Sequence, residues 1–359
     1  MGGRIYRAIG LMSGTSMDGI DVAAIETDGE RVTATLPGST TPYPDDLRRR
    51  LSDAVRHPDR DAAAVERELT DAHVAAVKSY LKTLPEDHRT IDVVGFHGHT
   101  LLHRPERRFT RQLGDGERLA HELGIDTVYD FRSADVAAGG EGAPFAPVYH
   151  RALARNADRP AVFVNIGGVS NITYVDGNTM LAFDTGPGNA LIDDWMEAHA
   201  GQPYDAGGAT AARGKVDDKV LDQLLDNPYF ARKPPKSLDR LDFSAAPAEG
   251  LSPEDGAATL TAFTAAAIAK SADHLPAAPA QWLVTGGGRR NATLMQMLAG
   301  RLAGKVEPIE VIGCDGDALE AQAFAFMAVR TLLGLPISFP ETTGVPQPLM
   351  GGRLAKAAA

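Results

Sequence analysis

The pattern of strands and helices expected from this sequence occurs twice, and that repetition limits the fold more than any single motif does. Apolar stretches bounded by glycine and aspartate predict three short strands near the start of the chain, at residues 5–12, 20–27 and 31–36. The same pattern predicts three strands in the second half, at residues 161–166, 171–175 and 180–183. Alternating helices and strands follow each set. The sequence therefore predicts an α/β protein of two related domains, each β-β-β-α-β-α-β-α, with a cleft between them.

The length of 359 residues supports two domains, because a single hydrophobic core seldom grows that large. We place the boundary after Arg132, which gives domains of residues 1–132 and 133–359. Residues 201–250 interrupt the second pattern with prolines, glycines and charged residues. We interpret this stretch as an insertion on the second domain near the cleft, a kind of segment that is often mobile.

Charge and composition exclude several classes of partner. The formal net charge of −11 disfavours non-specific binding to nucleic acid or to an anionic membrane surface. The one cysteine, Cys314, excludes an intramolecular disulfide. No apolar run reaches the roughly 18 residues of a membrane helix, and the first residues lack a signal-peptide core. We therefore expect a cytoplasmic protein without nucleic-acid or membrane partners.

A glycine-rich loop, Gly14-Thr15-Ser16-Met17-Asp18-Gly19, follows the first predicted strand. Glycines let backbone N–H groups approach an anion, and hydroxyl groups add further donors. Asp18 supplies a carboxylate that can hold a metal ion directly or through water. A plain hairpin turn is the alternative, but the run is longer than a tight hairpin needs. We interpret it as a phosphate-binding loop.

A similar loop, residues 183–189, follows a predicted strand of the second half and contains Asp184 and Gly186. A structural turn with Asn189 capping the next helix explains the glycines. It leaves Asp184 at the mouth of a cleft without an evident partner. A carboxylate in such a place is a candidate general base.

Two other segments are rich in glycine. Residues 164–171 include Asn165, Gly167 and Gly168, and we expect them to face the phosphates of a nucleotide, although a structural hairpin explains them almost as well. Residues 285–291 contain three consecutive glycines after a strand and before a helix. A flexible loop with an asparagine cap is the alternative there to a loop that holds a nucleoside.

Polar residues of the first half suggest a second set of contacts. His97 and His99 stand at a spacing of two on a predicted strand over residues 93–102, which puts both on one face, where they line a polar pocket more readily than they bind zinc. Arg132 lies between two acids and either pairs with them or holds a carboxylate with two hydrogen bonds. Glu320 begins the last predicted helix, where an acid is expected on electrostatic grounds alone.

Taken together, these motifs resemble the anhydro-N-acetylmuramic acid kinase family. The similar segments span nearly the whole chain in order, at residues 10–21, 130–140, 142–144, 165–172, 183–189 and 285–291. The resemblance implies two actin/hexokinase-like, or ribonuclease H-like, domains. It also implies ATP and Mg²⁺, a sugar substrate, a homodimer, and a role in recycling the bacterial cell wall.

The resemblance further implies a reaction and the residues that perform it. Asp184 deprotonates a water that opens the 1,6-anhydro bridge, and the freed O6 takes the γ-phosphate. Mg²⁺ is held by Asp18 through water, and the sugar by His99, Thr100, Arg132 and Glu320, with Arg132 on the lactyl carboxylate. Contacts to ATP are predicted at Gly14, Thr15, Ser16, Met17, Asp18, Gly19, Ile20, Asp21, Asn165, Gly167, Gly168, Gly186, Gly286, Gly287, Gly288 and Asn291.

Two alternatives remain open from the residues alone. An ordinary amino-sugar kinase has a free 6-hydroxyl as acceptor, and Asp184 would deprotonate that hydroxyl directly. A sugar or nucleotide sensor without catalysis has no need of Asp184 at all. His99 departs from the family, which tends to have glutamine there, but its ring can still donate or accept a hydrogen bond.

Overall fold

In the computed structural model, the chain forms two compact units. The structure describes residues 3–14, 17, 19–238 and 242–357. Unit 1 contains the chain up to Leu153 together with the segment that begins at Ala318, and unit 2 contains Ala154–Asp317. Thr15, Ser16 and Asp18 of the predicted phosphate loop lie outside the described residues.

The elements follow one another closely along the chain. The first segment of unit 1 contains β1 (Tyr6–Met12), β2 (Gly19–Thr27), β3 (Val32–Thr35), β4 (Ser39–Pro42), α1 (Asp45–Arg56), α2 (Ala63–Thr83), β5 (Val93–Phe96), β6 (His99–Arg104), β7 (Phe109–Leu113), α3 (Gly116–Leu123), β8 (Thr127–Tyr129), α4 (Ser133–Ala137) and α5 (Ala146–Leu153). Unit 2 contains β9 (Ala161–Ile166), β10 (Val169–Asp176), β11 (Thr179–Pro187), α6 (Ala190–Ala200), α7 (Asp218–Leu225), α8 (Pro253–Lys270), β12 (Gln281–Thr285), α9 (Ala292–Ala299) and β13 (Lys305–Pro308). The chain then returns to unit 1 with α10 (Leu319–Leu332), α11 (Pro340–Thr343) and β14 (Arg353–Ala355).

Unit 1 is built on a sheet with the strand order β14-β8-β5-β1-β2-β3, and β4 pairs with the other end of β2. Strands β1, β5 and β8 are parallel, whereas β2 runs antiparallel to β1. Helices α1, α2 and α3 contribute Leu51, Leu69, Val77 and Leu119 to the core beneath it. The three predicted strands match β1, β2 and β3 to within one residue at each end.

The other face of this sheet is covered by α10, which approaches the strands through paired glycines. Gly10 of β1 and Gly95 of β5 are partners in the parallel register. A Cβ atom on Gly10 would lie 1.7 Å from the carbonyl oxygen of Ala321, and one on Gly95 would lie 2.2 Å from that of Phe324. Any larger residue at either position therefore pushes the helix away from the sheet.

The packing of α10 changes the predicted division of the chain. The sequence placed residues 133–359 in the second domain, but residues 133–153 and 318–357 group with unit 1. The reason is physical: α10 presents small residues to the glycines of β1 and β5, and β14 pairs with β8. Sequence spacing indicates that a helix is present but not which sheet it covers.

The strand predicted over residues 93–102 is wrong in one respect, because it is broken in the middle. β5 ends at Phe96, and β6 pairs with β7 in a separate two-stranded sheet. Gly98 causes the break: its φ is +71°, and a Cβ atom there would lie 2.2 Å from the carbonyl oxygen of Leu113. His97 and His99 therefore do not share one strand face.

Unit 2 repeats the three-strand order on its own sheet, with the order β11-β10-β9-β12-β13. β9, β12 and β13 are parallel, and β10 is antiparallel to both of its neighbours. Helix α8 is buried along most of its length, and Ile268 joins Val164 and Trp282 in the core. These two sheets confirm the predicted α/β class, and both units begin with three strands as predicted, although β4 follows them in unit 1 before the first helix.

The predicted insertion at residues 201–250 packs onto unit 2 where it is described. Leu221 and Leu224 of α7 join Tyr229 and Phe230 in a cluster with Trp195 of α6.

Within the described part of the chain, no helix has the length and apolar content needed to cross a membrane.

We predict that Gly95→Ala lowers the free energy of unfolding by about 3 kcal/mol, because the added methyl group meets the backbone of α10. Urea titration followed by circular dichroism measures the change. Gly300→Ala is the matched control, since a Cβ atom there meets its nearest neighbours at 3.6 and 3.8 Å, which is ordinary contact. Equal stability of the Gly95→Ala variant and the natural chain contradicts the packing described for α10.

Candidate active site

Asp184 lies in β11 and is held almost entirely by main-chain groups. The segment of residues 228–238 runs beside the strand, and the N–H of Asp184 donates to the carbonyl of Lys236 at 3.0 Å. The hydroxyl of Tyr229 donates to the carbonyl of Asp184 at 2.6 Å. The N–H of Leu238 donates to Oδ2 of Asp184 at 2.8 Å. Among the described residues, Oδ1 of Asp184 has no hydrogen-bond donor, and it is the oxygen available to a reacting molecule.

The surroundings of Asp184 make it a stronger base than an ordinary aspartate. Burial raises the pKa of Asp184 to about 6, and the Leu238 N–H opposes that rise in part. A carboxylate with this pKa is still ionised at neutral pH and accepts a proton more readily than one near 4. Asp184 therefore has both a fixed position and a pKa above that of an ordinary aspartate.

A buried ammonium group lies in the same segment. Lys236 is 7% exposed, and its Nζ donates to the carbonyls of Tyr229 and Phe230 at 3.3 and 3.5 Å. Nζ also lies 4.6 Å from the centre of the Tyr229 ring. Burial lowers the pKa of Lys236, and the nearby charge of Arg232 lowers it further. These contacts fasten residues 229–236 against β11 and so help to fix Asp184.

Two of the predicted glycine-rich segments interlock in unit 2. The N–H of Gly188 donates to the carbonyl of Gly168 at 2.9 Å, and the N–H of Asn189 donates to that of Gly167 at 2.7 Å. A Cβ atom on Gly188 would lie 2.2 Å from the oxygen of Gly167. Asn189 occupies the N-cap position of α6, as the sequence predicts, but its side chain donates to the carbonyl of Ile166 instead of accepting an N–H of the helix. Close packing of the two turns therefore requires a glycine at position 188.

The third segment joins the same group of loops. Gly286 has a φ of +71°, and a Cβ atom there would lie 2.5 Å from Oδ1 of Asn165. The hydroxyl of Thr285 donates to Oδ1 of the same Asn165 at 3.4 Å. The structure thus brings together seven of the predicted ATP residues of unit 2, which are Asn165, Gly167, Gly168, Gly286, Gly287, Gly288 and Asn291, whereas Gly186 lies in β11 with its α-carbon facing Ala267 and Phe230.

A cavity of about 400 Å³ opens beside these loops. Its lining includes Asn189, Gly287 and Asn291, together with Tyr204, whose side chain is 58% exposed. Asn291 caps α9 by accepting the N–H of Leu294 at 2.9 Å, as the sequence predicts. The volume is within the range of small-molecule sites, and an exposed aromatic ring beside a glycine loop suits a flat base.

Unit 1 contains the predicted sugar residues Arg132 and Glu320. The Nε and Nη2 groups of Arg132 donate to Nε2 of His97 at 3.0 and 2.9 Å, and Nη1 donates to the carbonyl of Gly142. Burial lowers the pKa of Arg132 to about 10, so the guanidinium stays charged at neutral pH. Burial and then the charge of Asp21 raise the pKa of Glu320, whereas Arg132 opposes them.

His99 is fully buried, with 0% of its side chain exposed. Its Nδ1 lies 3.0 Å from the hydroxyl of Ser13, which accepts a hydrogen bond from Tyr43 at 2.6 Å. Burial lowers the pKa of His99 to about 4, so the ring is neutral at physiological pH. The predicted sugar contact of His99 therefore has no exposed atom to make it. Thr100, its neighbour, is partly exposed.

The first predicted phosphate loop is described only in part. The N–H of Met17 donates to the carbonyl of Gly14 at 3.1 Å. A Cβ atom on Gly19 would lie 2.6 Å from the oxygen of Thr41, so the pairing of β2 with β4 itself requires that glycine. Ile20 is buried in the core, and Asp21 accepts the hydroxyl of Thr40 at 2.6 Å.

The predicted Mg²⁺ contact is not a cluster of protein ligands in the part of the chain that the structure describes. No three His, Cys, Asp or Glu side chains are grouped there so as to hold a metal ion. Asp18, the predicted ligand, lies outside the described residues. Mg²⁺ usually arrives with nucleotide phosphates and keeps several waters, so one or two protein carboxylates suffice.

Several contacts were missed by the sequence reasoning. The Leu238 N–H and the Tyr229 hydroxyl lie far from Asp184 along the chain, and no periodicity points to them. His97 was considered only as part of a polar pocket, although it holds Arg132. The aromatic Tyr204 in a proline-rich stretch was the available signal for the cavity.

Comparison with known proteins shows the family to which the chain belongs. A family model described as "Anhydro-N-acetylmuramic acid kinase" matches residues 6–356. A protein of that name from Paramagnetospirillum magneticum is 54% identical over 350 residues, which cover 96% of this chain and 98% of that protein. Another of that name from Rhizorhabdus wittichii is 53% identical over 355 residues, which cover 96% of this chain and 97% of that protein.

Two solved structures show more distant likenesses. A ROK family glucokinase from Streptomyces griseus, in complex with glucose and AMPPNP, has a TM-score of 0.42 at 14% identity, over 90% of this chain and 99% of that one. A xylulose kinase from Rhodospirillum rubrum has a TM-score of 0.44 at 14% identity, over 99% of this chain and 94% of that one. Likenesses this distant decide nothing about this chain.

The near-complete family match and the identities above 50% define the class of protein. The chain is a phosphotransferase with an alcohol group as acceptor. More particularly, it belongs to the anhydro-N-acetylmuramic acid kinase family.

We predict that kcat/KM falls as the pH decreases through about 6, because a general base at position 184 accepts a proton only when ionised and burial moves its ionisation to that value. The dependence of kcat/KM on pH measures the ionisation in the free enzyme. An acid limb at about pH 4, the ordinary aspartate range, contradicts the assignment.

A pair of variants at Leu238 serves as the control for this pH profile. Leu238→Pro removes the N–H that stabilises the ionised Asp184, so the acid limb moves to higher pH. Leu238→Ala keeps that N–H and leaves the limb where it is. A limb that is the same in both variants shows that another group is responsible for it.

Proposed function

We propose that this chain is an ATP-dependent kinase of 1,6-anhydro-N-acetylmuramic acid. The products are N-acetylmuramic acid 6-phosphate and ADP, and the reaction serves recycling of the cell wall. The observation that carries the proposal is the match to the family model over residues 6–356, which favours the anhydro sugar over an ordinary amino sugar. Asp184, with a fixed position and a pKa raised by burial, supplies the base that a substrate with O6 tied to C1 needs to activate a water molecule.

In the proposed reaction, Oδ1 of Asp184 takes one proton from a water molecule as the water oxygen bonds to C1. The C1–O6 bond breaks, and O6 leaves with its electron pair. O6 then bonds to the γ-phosphorus of ATP, and the bond from that phosphorus to the bridging oxygen of ADP breaks. The sugar retains a hydroxyl group at C1, and the proton remains on Asp184 until solvent removes it. Positioning supplies most of the remaining catalysis, as in other phosphoryl transfers.

The lactyl carboxylate of the sugar is assigned to Arg132. Its guanidinium is charged and is held by two neutral acceptors, the ring of His97 and the carbonyl of Gly142. Arginine suits a planar carboxylate better than lysine does, because its N–H groups form a fixed fork. Thr100 and Glu320 are proposed to contact hydroxyl or amide groups of the sugar.

ATP is assigned to the loops of unit 2 and to residues 14–21. The cavity beside Gly287 and Tyr204 is proposed to receive the adenosine. Mg²⁺ would neutralise charge on the phosphates when bound, and Asp18 is the proposed protein contact, through water. We further propose a cytoplasmic homodimer, since ATP is available in that compartment and the family resemblance suggests a dimer.

The proposed reaction is tested with Mg-ATP and 1,6-anhydro-N-acetylmuramic acid in ¹⁸O-labelled water, with mass spectrometry of the product. We expect a phosphorylated sugar with one ¹⁸O at C1, read promptly before that oxygen exchanges with solvent. Phosphorylation of free N-acetylmuramic acid or N-acetylglucosamine alone would indicate an ordinary amino-sugar kinase. Absence of any phosphorylated sugar overturns the proposal.

We predict that Asp184→Asn retains the fold and ATP binding but lowers kcat by several orders of magnitude, because the amide cannot accept a proton. Asparagine keeps an oxygen for the Leu238 N–H, so the segment beside β11 stays in place. Steady-state kinetics and titration with ATP measure the two effects. Asp176→Asn, an exposed aspartate at the turn after β10, is the matched control. Near-normal turnover of Asp184→Asn is incompatible with its role as the base.

A further inference from the structure

His97 makes contacts that have no part in the reaction as proposed so far. The ring is 5% exposed and lies against Phe324 of α10, with the ring centres 4.6 Å apart. Nδ1 lies 2.8 Å from the carbonyl oxygen of Gly98, which can only accept, so Nδ1 carries the proton. Nε2 is therefore the acceptor, and it receives the Nε–H and one Nη2–H of Arg132.

The guanidinium of Arg132 uses only some of its N–H groups in hydrogen bonds within the protein. Three of the five N–H groups of a guanidinium are occupied, two by His97 and one by the carbonyl of Gly142. One N–H remains on each of the two terminal nitrogens. Among the described residues, no carboxylate lies within ion-pair distance of Arg132, so its charge is not neutralised by direct contact.

The ring that holds Arg132 is itself fixed on both sides. Gly98 presents its carbonyl to Nδ1 from a backbone conformation with φ +71°. Phe324 belongs to α10, whose position is set by the glycines of β1 and β5. Burial and the positive charge of Arg132 hold the pKa of His97 well below its usual range, so the ring stays neutral.

We propose that His97 is a positioning residue for substrate recognition: its neutral ring fixes the Arg132 guanidinium so that one N–H on each terminal nitrogen stays available to the lactyl carboxylate. The inference rests on the proposed function, since it takes Arg132 to bind that carboxylate. His97 acts through Arg132 and has no contact of its own with the reacting atoms. It therefore governs which sugar is bound rather than the chemical step.

The test compares two sugars that share the 1,6-anhydro bridge and differ in the lactyl group, 1,6-anhydro-N-acetylmuramic acid and 1,6-anhydro-N-acetylglucosamine. In His97→Phe, which keeps a ring against Phe324 but removes the acceptor, we expect KM for the lactyl sugar to rise about 10- to 100-fold. The KM for ATP should change by less than about twofold, because ATP binding does not involve the lactyl carboxylate. The same limit holds for the lactyl-free sugar, whose affinity is measured as a KM or as an inhibition constant.

Two further variants separate positioning from loss of structure. His97→Gln places an oxygen near the position of Nε2, so most of the affinity for the lactyl sugar returns. His73→Phe replaces another fully buried histidine of unit 1, one that contacts Phe96 and not Arg132, so it changes neither sugar constant. Equal losses for both sugars in His97→Phe, or the same loss in His73→Phe, overturn the inference, as does an unchanged KM.

A measurement without any sugar keeps this inference separate from the proposed reaction. In the free protein, the ¹⁵N–¹H resonance of the Arg132 Nε group should be protected from exchange, because that N–H is donated to His97. Protection that is lost in His97→Phe and kept in His73→Phe supports the contact even if the natural chain fails to phosphorylate the anhydro sugar. An unprotected resonance in the natural chain refutes it.

Discussion

The close approach of α10 to the sheet of unit 1 is the constraint on which much of that unit depends. Gly10 and Gly95 lie side by side, and the backbone of α10 passes over them with no room for a Cβ atom. This contact fixes the height and rotation of the helix, and so places Phe324 against His97 and Glu320 at the first turn. The sugar residues assigned to unit 1 are therefore set by packing rather than by loop geometry.

In unit 2, hydrogen bonds of the backbone fix the position of Asp184 and of the turns near it. The end of β11 and the turns near it are joined to their neighbours mainly through backbone N–H and carbonyl groups. Asp184 receives its defining contact from the N–H of Leu238, and Tyr229 secures the carbonyl of the same residue. Main-chain donors of this kind hold a carboxylate with little rotational freedom, which favours a site in which one oxygen stays open to reactants.

Much of the fold was accessible from the sequence, because strand periodicity and turn residues act over a few neighbours. The three-strand units were found in this way, and Asp184 was picked out as a candidate base, although the strand predicted to end at residue 183 continues to Pro187. The separation of His97 from His99 was not, since a single glycine with positive φ at position 98 reverses the face that a period of two predicts. Nor was the covering of β1 by α10, because a contact between residues 10 and 321 has no signature in local spacing.

The return of the chain to unit 1 after residue 317 has a consequence for how the protein is made. All of unit 2 precedes α10 in the order of synthesis, so unit 2 can acquire its core while the sheet of unit 1 still lacks one of its two covering layers. Until α10 is made, the glycine-bearing face of β1 and β5 lacks the helix that covers it in the folded protein. Completion of unit 1 is therefore a late event of biosynthesis, although its first strand is made first.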